Sequence, residues 1–436
     1  MGARSKQAGL GRAEAERGVW LVEKLVPGGD ALVHLADGRI AFVAGAVPGD
    51  SIRPLAIEAK KGHVRVTRFE VVSPSIDRVT PPCPVSEACG GCDWMAIAGP
   101  AQLVHKEQLL RSALERNGSV SGLPATLPFT ASDDALGYRS RARFQVDGSG
   151  RIGFFSRGSH TLVEIPACAV VTAEINDVLA TLRRVSKDAL AAFSEIEIRV
   201  APTEPRVSVL LVPRIPGGAG PSLKAVRAKA KATWAIAVRG EESGGQDVQR
   251  FPLPAGTHIA ALPGVFTQVN WGVNRALVEA VVAGARARGI RRFLDAYAGA
   301  GNFSLPLLAS GMVGVSVEHD ASAVECARLA AAELGLPQEG FVAGDAREKL
   351  SELARAGERF DMVLLDPPRS GAKDVIEAAA RLGAKAIALC SCDPATLARD
   401  VAGLAKRGFC LEEVRGFDMF PSTHHLEALA WLERST

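Results

Sequence analysis

Apolar positions follow two rhythms along this chain. From Val19 to about Val72 they come as short stretches (VWLVEKLV, ALVHL, IAFV, SIRPLAI, HVRVTRFEVV), broken by turn signals at Pro27-Gly28-Gly29, Asp37-Gly38 and Pro48-Gly49-Asp50. Short strands between glycine-rich turns predict a small β-barrel over residues 18–75. From about Phe251 the rhythm lengthens. The apolar runs RRFLDAY, MVGVSVE, FDMVLLD and KAIALC alternate with helical stretches at 271–287, 303–309, 321–334, 373–382 and 394–407, and a strand pair follows. Strands alternating with helices at this spacing predict a doubly wound α/β sheet over 251–436.

Residues 76–250 are mixed. A Pro- and Cys-rich loop at 77–93 precedes a helix from Gln102 to Asn117, which ends on an Asn-Gly stop. RARFQVD, RIGFFS, EIEIRVA and RVSVLLVP are strand-like, 175–193 is helical, and Gly217-Gly218 and Gly244-Gly245 mark loops. Residues 1–17, small and charged with little to bury, predict a mobile tail.

A chain of 436 residues has room for two or three domains, and 47% hydrophobic residues suffice for real cores. The net charge of +3 is no polybasic signal, so a nucleic-acid surface has to come from local clusters. Two stand out: Arg53, Lys60, Lys61, His63, Arg65 and Arg68 in the first region, and Arg139, Arg141 and Arg143 beside Tyr138. No apolar run suits a signal peptide or a membrane span, which predicts a cytoplasmic protein without a membrane partner. Thiols stay reduced there, so the eight Cys are read as metal, cluster, catalytic or core residues before disulfides.

The segment FLDAYAGAGN, from Phe293 to Asn302, is an apolar strand entering a glycine turn, where backbone can approach a ligand. Position 304 is Ser where a dinucleotide fingerprint wants a third Gly, which favours S-adenosylmethionine over NAD. Glu318 ends the next strand, placed for ribose hydroxyls, and Asp345 ends a third strand-like segment, placed for an adenine edge. Asp366 ends FDMVLLD before a rigid Pro-Pro loop. Glu427 precedes the last apolar run. Cysteine is usually a small buried hydrophobe, which suits Cys326 and Cys390. Cys392 instead lies in a polar turn before a helix N-terminus, where a thiolate gains stabilisation. Cys83, Cys89 and Cys92 form C-x5-C-x2-C around Gly90-Gly91. With Cys168 as a fourth thiolate they suit zinc or an iron–sulfur cluster, and spacing alone does not decide between them.

The stretches SCDPATLARD, DPPRSG, FPSTHHLE, FTQVN and DAYAGAGNF together resemble the RNA uridine-5 methyltransferase family, closest to its 23S ribosomal RNA branch. The resemblance covers nearly the whole chain. It implies a C-terminal Rossmann-like S-adenosylmethionine methyltransferase domain over 251–436, a TRAM RNA-binding barrel over 18–75, and a central domain over 76–250. That central domain would carry a 4Fe–4S cluster on Cys83, Cys89, Cys92 and Cys168. It makes Cys392 the nucleophile that adds to carbon 6 of uracil and Glu427 the base that removes the carbon 5 proton. It assigns Gln268, Tyr297, Asn302, Glu318, Asp345 and Asp366 to the cofactor and uracil pocket.

Two departures are visible: Ala298 replaces a Cys common in the family, and Asp393 replaces Asn, adding a carboxylate beside the nucleophile that favours a higher thiol pKa. The expected partner is 23S ribosomal RNA, with transfer RNA the alternative, and the expected state is a monomer. A non-catalytic RNA-binding iron–sulfur protein is disfavoured by the trio Asp366, Cys392 and Glu427. A radical S-adenosylmethionine enzyme is disfavoured because it needs C-x3-C-x2-C.

Overall fold

The glycine-turn strands of the first region assemble as a six-stranded sheet. The computed structural model describes residues 18–118, 120–241 and 247–435, so the tail expected at 1–17 and the loop at Gly244-Gly245 lie outside the described residues. The strands are β1 (Trp20–Leu21), β2 (Lys24–Leu25), β3 (Ala31–His34), β4 (Ile40–Val43), β5 (Ser51–Lys60) and β6 (His63–Ser73), in the order β1-β5-β6-β4-β3-β2. All pairs are antiparallel except β4 with β6. Contacts divide the chain into two compact units. Of the described residues, the first holds those up to Leu109, Phe155–His160 and Phe420–His424; the second holds those of Leu110–Phe154, Thr161–Met419 and from His425 onward.

The first unit packs Trp20, Val22, Ala31, Val33, Val43, Ile52, Val64, Val66 and Trp94 into one core. Its charged anchor is Asp50, which is fully buried. Its carboxylate accepts the backbone N–H groups of Val47 and Ser75, at 2.7 and 2.9 Å, and the Arg78 guanidinium, at 2.6 Å from Nη2. Burial pushes the Asp50 carboxyl up, but Arg78 and the two N–H donors outweigh it and hold it below its ordinary value.

The second unit holds two large sheets. Its strands are β7 (Phe129–Thr130), β8 (Arg141–Val146), β9 (Ile152–Phe155), β10 (Leu162–Glu164), β11 (Phe193–Val200), β12 (Val207–Pro213), β13 (Trp234–Val238), the pair β14 (Gln249–Pro252) and β15 (His258–Ala261), and β16 (Arg292–Ala296), β17 (Val313–Glu318), β18 (Phe341–Ala343), β19 (Phe360–Leu365), β20 (Gly383–Ser391), β21 (Phe409–Phe417) and β22 (Glu427–Arg434). One sheet runs β10-β9-β8-β11-β12-β13 and the other β18-β17-β16-β19-β20-β22-β21-β7. In the second sheet β18 through β20 pair in parallel, and β22 enters antiparallel between β20 and β21. Its central strands read as unbroken apolar runs because both faces are covered: Leu294, Val363, Leu364, Leu365, Ile387 and Leu389 are all fully buried. The strand order reverses between β16 and β19, and at such a switch point a crevice opens beyond the carboxyl ends.

Three expectations are corrected. The helix expected at 175–193 is two, Ala173–Leu182 and Lys187–Leu190, because Ser186 starts the second by accepting the Ala189 N–H at 3.3 Å. The helix expected at 373–382 spans only Ile376–Leu382. A helix not expected from the sequence covers Ala346–Arg355, and Asp345 is its N-cap, accepting from Glu348 N–H at 3.1 Å, two residues beyond the end of β18. Among the described residues no helix is long and apolar enough to cross a membrane.

Replacing Asp50 by Ala strands the Arg78 guanidinium and two backbone donors. The expected cost is about 3 to 5 kcal/mol, the scale for breaking one side of a buried charged pair, read as a lower denaturation midpoint of the first unit by tryptophan fluorescence. Because the carboxyl is held low, this contribution is present above the unfolded pKa and fades as pH falls through the folded one. The wild-type and variant curves should therefore converge in acid.

Candidate functional site

The glycine turn after β16 is built for close approach. Tyr297 has φ 67°, Gly299 56° and Gly301 87°. A β-carbon on Gly301 would lie 2.9 Å from Leu305 Cγ, so the turn admits no side chain there. Ser304, which stands where a third Gly was sought, has its own task. Its hydroxyl donates to buried Asp295 and accepts from the Ser316 hydroxyl at 2.7 Å. Burial, with Asp366 and Glu318 adding, pushes the Asp295 carboxyl up to about 8 against the Ser304 hydrogen bond.

Glu318, at the end of β17, accepts the Gly299 N–H on one carboxylate oxygen and the Asp320 N–H on the other, both at 2.8 Å. It thus braces the glycine turn. Asn302 forms a reciprocal amide pair with Asn274, at 2.8 and 3.0 Å. Asn274 is fully buried on the helix Trp271–Ala287 and was missed in the sequence; its signal is an amide on the apolar face of an amphipathic helix. Gln268 is half-buried, two residues before Asn270, the N-cap of that helix. Tyr297 is pushed up to about 12 by burial, with Asp345 adding.

The second cluster is set by strand register. Leu365 of β19 pairs with Leu389 of β20, and Ser391 of β20 pairs with Ala428 of β22. Asp366, Cys392 and Glu427 each flank one of these ladder ends, so three neighbouring strands deliver them to one edge of the sheet. Glu427 is 4% exposed and its Oε1 has no hydrogen-bond partner among the described residues. Burial, and then Asp366, drive its proton affinity well above the carboxylate range. Asp366 is pushed up to about 7, also by burial.

Cys392 is half-buried, and its thiol is pushed up to about 11 by burial and Glu427; Arg369 opposes this, while Asp366 and Asp393 add to it. This is the direction expected from Asp393 beside the thiol, and it runs against the thiolate stabilisation expected from the place before a helix. Burial is the largest cause, and Asp393 takes the helix end itself, accepting the Thr396 N–H at 2.8 Å as N-cap of Pro394–Ala405. Cys390, fully buried on β20, is pushed well above an ordinary thiol.

Cys83, Cys89 and Cys92 belong to the first unit and Cys168 to the second, each half-buried. The Gly91 N–H donates to Cys89 Sγ at 3.4 Å, and the Cys168 N–H donates to Asn176 Oδ1 at 2.9 Å. Among the described residues, no group of three or more His, Cys, Asp or Glu side chains is drawn up as a metal requires.

Asp295 has a raised pKa, so between its unfolded and folded values the native state binds the extra proton and stability falls as pH rises. Asp295→Asn removes that dependence. It should flatten the melting temperature against pH between about 4 and 8 and be relatively more stable at the alkaline end. Differential scanning calorimetry across that range checks it; parallel wild-type and variant curves would show that the carboxyl is ionised throughout.

The comparisons with known proteins agree with this geometry. The family model described as tRNA (Uracil-5-)-methyltransferase matches residues 257–435. An uncharacterised RNA methyltransferase of Gloeobacter violaceus is 32% identical, covering 95% of this chain and 96% of the relative. The 23S rRNA (uracil(1939)-C(5))-methyltransferase RlmD of Pseudomonas putida is also 32% identical, covering 94% and 92%. The crystal structure of the Pyrococcus abyssi tRNA (uracil-54, C5)-methyltransferase, solved with S-adenosyl-L-homocysteine, matches with TM-score 0.73 at 23% identity over 95% of this chain and all of that one, which shows a shared fold.

Proposed function

We propose, from the premise that this chain belongs to the RNA uracil-5-methyltransferase family, that it methylates carbon 5 of a uridine in RNA with Cys392 as transient nucleophile. The observation that carries this is the register that gathers Asp366, Cys392 and Glu427 at one sheet edge, with an unpartnered Glu427 oxygen among them. The substrate is 23S ribosomal RNA, on the strength of near-full-length likeness to enzymes named for it. Transfer RNA is the second reading, favoured by the fold neighbour.

Gln268, Tyr297, Asn302, Glu318 and Asp345, with Asp366 shared, would hold S-adenosylmethionine. The glycine turn that takes no side chain at Gly301 fits a ligand approached by backbone. When bound, that group supplies the methyl. The chain's own residues do the rest. Carbon 5 of uracil is a poor nucleophile, so the Cys392 thiol first gives up its proton to solvent, its sulfur then bonds to carbon 6, and the ring's electron pair moves toward carbon 5 and the carbonyl oxygen. Asp366 meets the uracil edge and admits uracil over cytosine, whose donor pattern differs. After methylation Glu427 takes the carbon 5 proton. The released pair re-forms the ring double bond and expels the thiolate. A carboxyl with raised proton affinity is a strong base once ionised, which suits this step.

Residues 18–75 are read as a TRAM module that adds RNA affinity, their exposed Arg53, Lys60, Lys61 and Arg68 meeting phosphates. Cys83, Cys89, Cys92 and Cys168 are read as ligands of a 4Fe–4S cluster. The support is the all-thiol donor set, the Gly-Gly spacing, and the Gly91 hydrogen bond to Cys89 sulfur, a common means of tuning cluster thiolates. Methyl transfer moves no electrons, so the cluster's part is structural.

Two experiments test these readings. Glu427→Gln adds its thiol and accepts the methyl but stalls before release. A methylated protein–RNA adduct that survives denaturing electrophoresis is therefore expected, absent from Cys392→Ala and from the double variant. An adduct that persists without Cys392 would pass the nucleophile's role to another thiol. Separately, anaerobic purification should give a brown protein with roughly four iron per chain, the count of a cubane cluster; a colourless protein loaded with zinc refutes the cluster.

A further inference from the structure

The site depends on two segments that leave the sheet side by side. The loop from Asp366 to Gly371 follows β19, and the helix α1 (Pro394–Ala405) follows the Cys392 turn after β20. Beyond the strand ends they are joined by side chains on α1. Asp400 is 2% exposed, and its Oδ2 accepts the Ala372 N–H at 2.6 Å. Its Oδ1 accepts Arg399, at 2.9 Å from Nε and 2.8 Å from Nη2. Arg399 Nη2 also donates to the Ser370 carbonyl at 2.8 Å. Gly371, at φ 78°, lies under this pair: a β-carbon there would sit 2.1 Å from Arg399 Nη2 and 2.6 Å from Asp400 Oδ2. The loop is therefore pressed onto the helix with no side chain between them.

The loop held this way carries the two groups whose charges act on the thiol from that side. Arg369 lowers the thiol's proton affinity and Asp366 raises it. A buried carboxylate that clamps one loop while bound to an arginine is more than that loop needs to close; the Gly371 N–H already donates to the Pro368 carbonyl at 2.8 Å.

We infer that Arg399 and Asp400 are positioning residues that hold Arg369 and Asp366 in place against Cys392 while its sulfur adds to uracil. This rests on the methyltransferase reading, in which Cys392 is the nucleophile. The clamp couples the Asp366 loop to the Cys392 helix, so a shift of one segment against the other misplaces both the uracil edge and the nearby cation. Small displacements of such groups cost large factors in rate.

The test isolates the addition step with RNA carrying 5-fluorouridine at the target. Fluorine at carbon 5 cannot be taken as a proton, so the adduct accumulates and its rate of appearance reports addition. The rate is followed between about pH 6 and 9, since the thiol is faced by Glu427 from β22, by Asp366 and Arg369 from the clamped loop, and by Asp393 of its own turn. Asp400→Asn is expected to slow adduct formation by about tenfold or more near neutral pH and to move the rising limb of the profile to higher pH. Affinity for S-adenosylhomocysteine, to which Asp366 is one of six contributing residues, should fall far less than the rate of addition. Arg399→Lys keeps the cation but loses the fork, and should fall between Asp400→Asn and wild type; it also keeps the test open if Asp400→Asn does not fold.

Wild-type rates and profile in both variants overturn the inference. So does a loss of S-adenosylhomocysteine affinity in step with the rate, which is the mark of a merely structural clip. A wild-type chain that forms no adduct, or forms it without Cys392, is a separate result: it removes the methyltransferase reading itself.

Discussion

The registration of β19, β20 and β22 is the constraint on which the site depends. Leu365 opposite Leu389, and Ser391 opposite Ala428, place three chain reversals at one edge of the sheet. Side chains alternate faces along a strand, so a slip of one residue on any of these ladders would send its reactive group to the other face. The ladders are secured by fully buried residues on both faces: Val363, Leu365, Ile387, Leu389, Ala430 and Leu432 on one, and Met362, Leu364 and Ala388 on the other. Packing deep in the sheet thus fixes the geometry of groups that lie beyond its end.

The same burial sets the electrostatics. Asp295, Asp366 and Glu427 are acids in low-dielectric surroundings, each raising the proton affinity of at least one other group at this edge. The resting site consequently carries less negative charge than its composition suggests. Arg369 is the cation that opposes this trend at the thiol, which gives the loop bearing it weight beyond its length.

Much of this was legible in the sequence. The helix expected at 271–287 occurs at Trp271–Ala287, and the apolar runs of the doubly wound sheet occur as β16, β17, β19 and β20. Fully covered parallel strands and an amphipathic helix both write strong patterns. The weaker patterns failed for local reasons. Ala346–Arg355 is short and largely polar, with only Ala346 and Leu350 buried, so its rhythm was faint. The stretch 175–193 hid a break that only the Ser186 cap reveals. At the site, the motif stretches and the family resemblance pointed to Cys392, Glu427 and Asp366, and Asp393 pointed to a raised thiol pKa; the parts played by burial, Glu427 and Asp366 were not legible, because the fold brings those neighbours in from other strands. The tasks of Asn274, Ser304 and Asp400 went unread for the same reason: each acts through a partner that the fold brings to it.

The position of β22 bears on how the molecule is made. Residues 427–434 lie inside the sheet, between strands synthesised earlier, β20 and β21. A growing polypeptide on the ribosome can lay down the parallel half of the sheet, yet β20 must keep one edge open until β22 emerges and docks. Glu427 is the first residue of that strand, so the carboxyl that joins Asp366 and Cys392 at the sheet edge arrives with the segment that fills the gap between β20 and β21. A truncated product lacks both together, the innermost strand of that half of the sheet and its buried carboxyl.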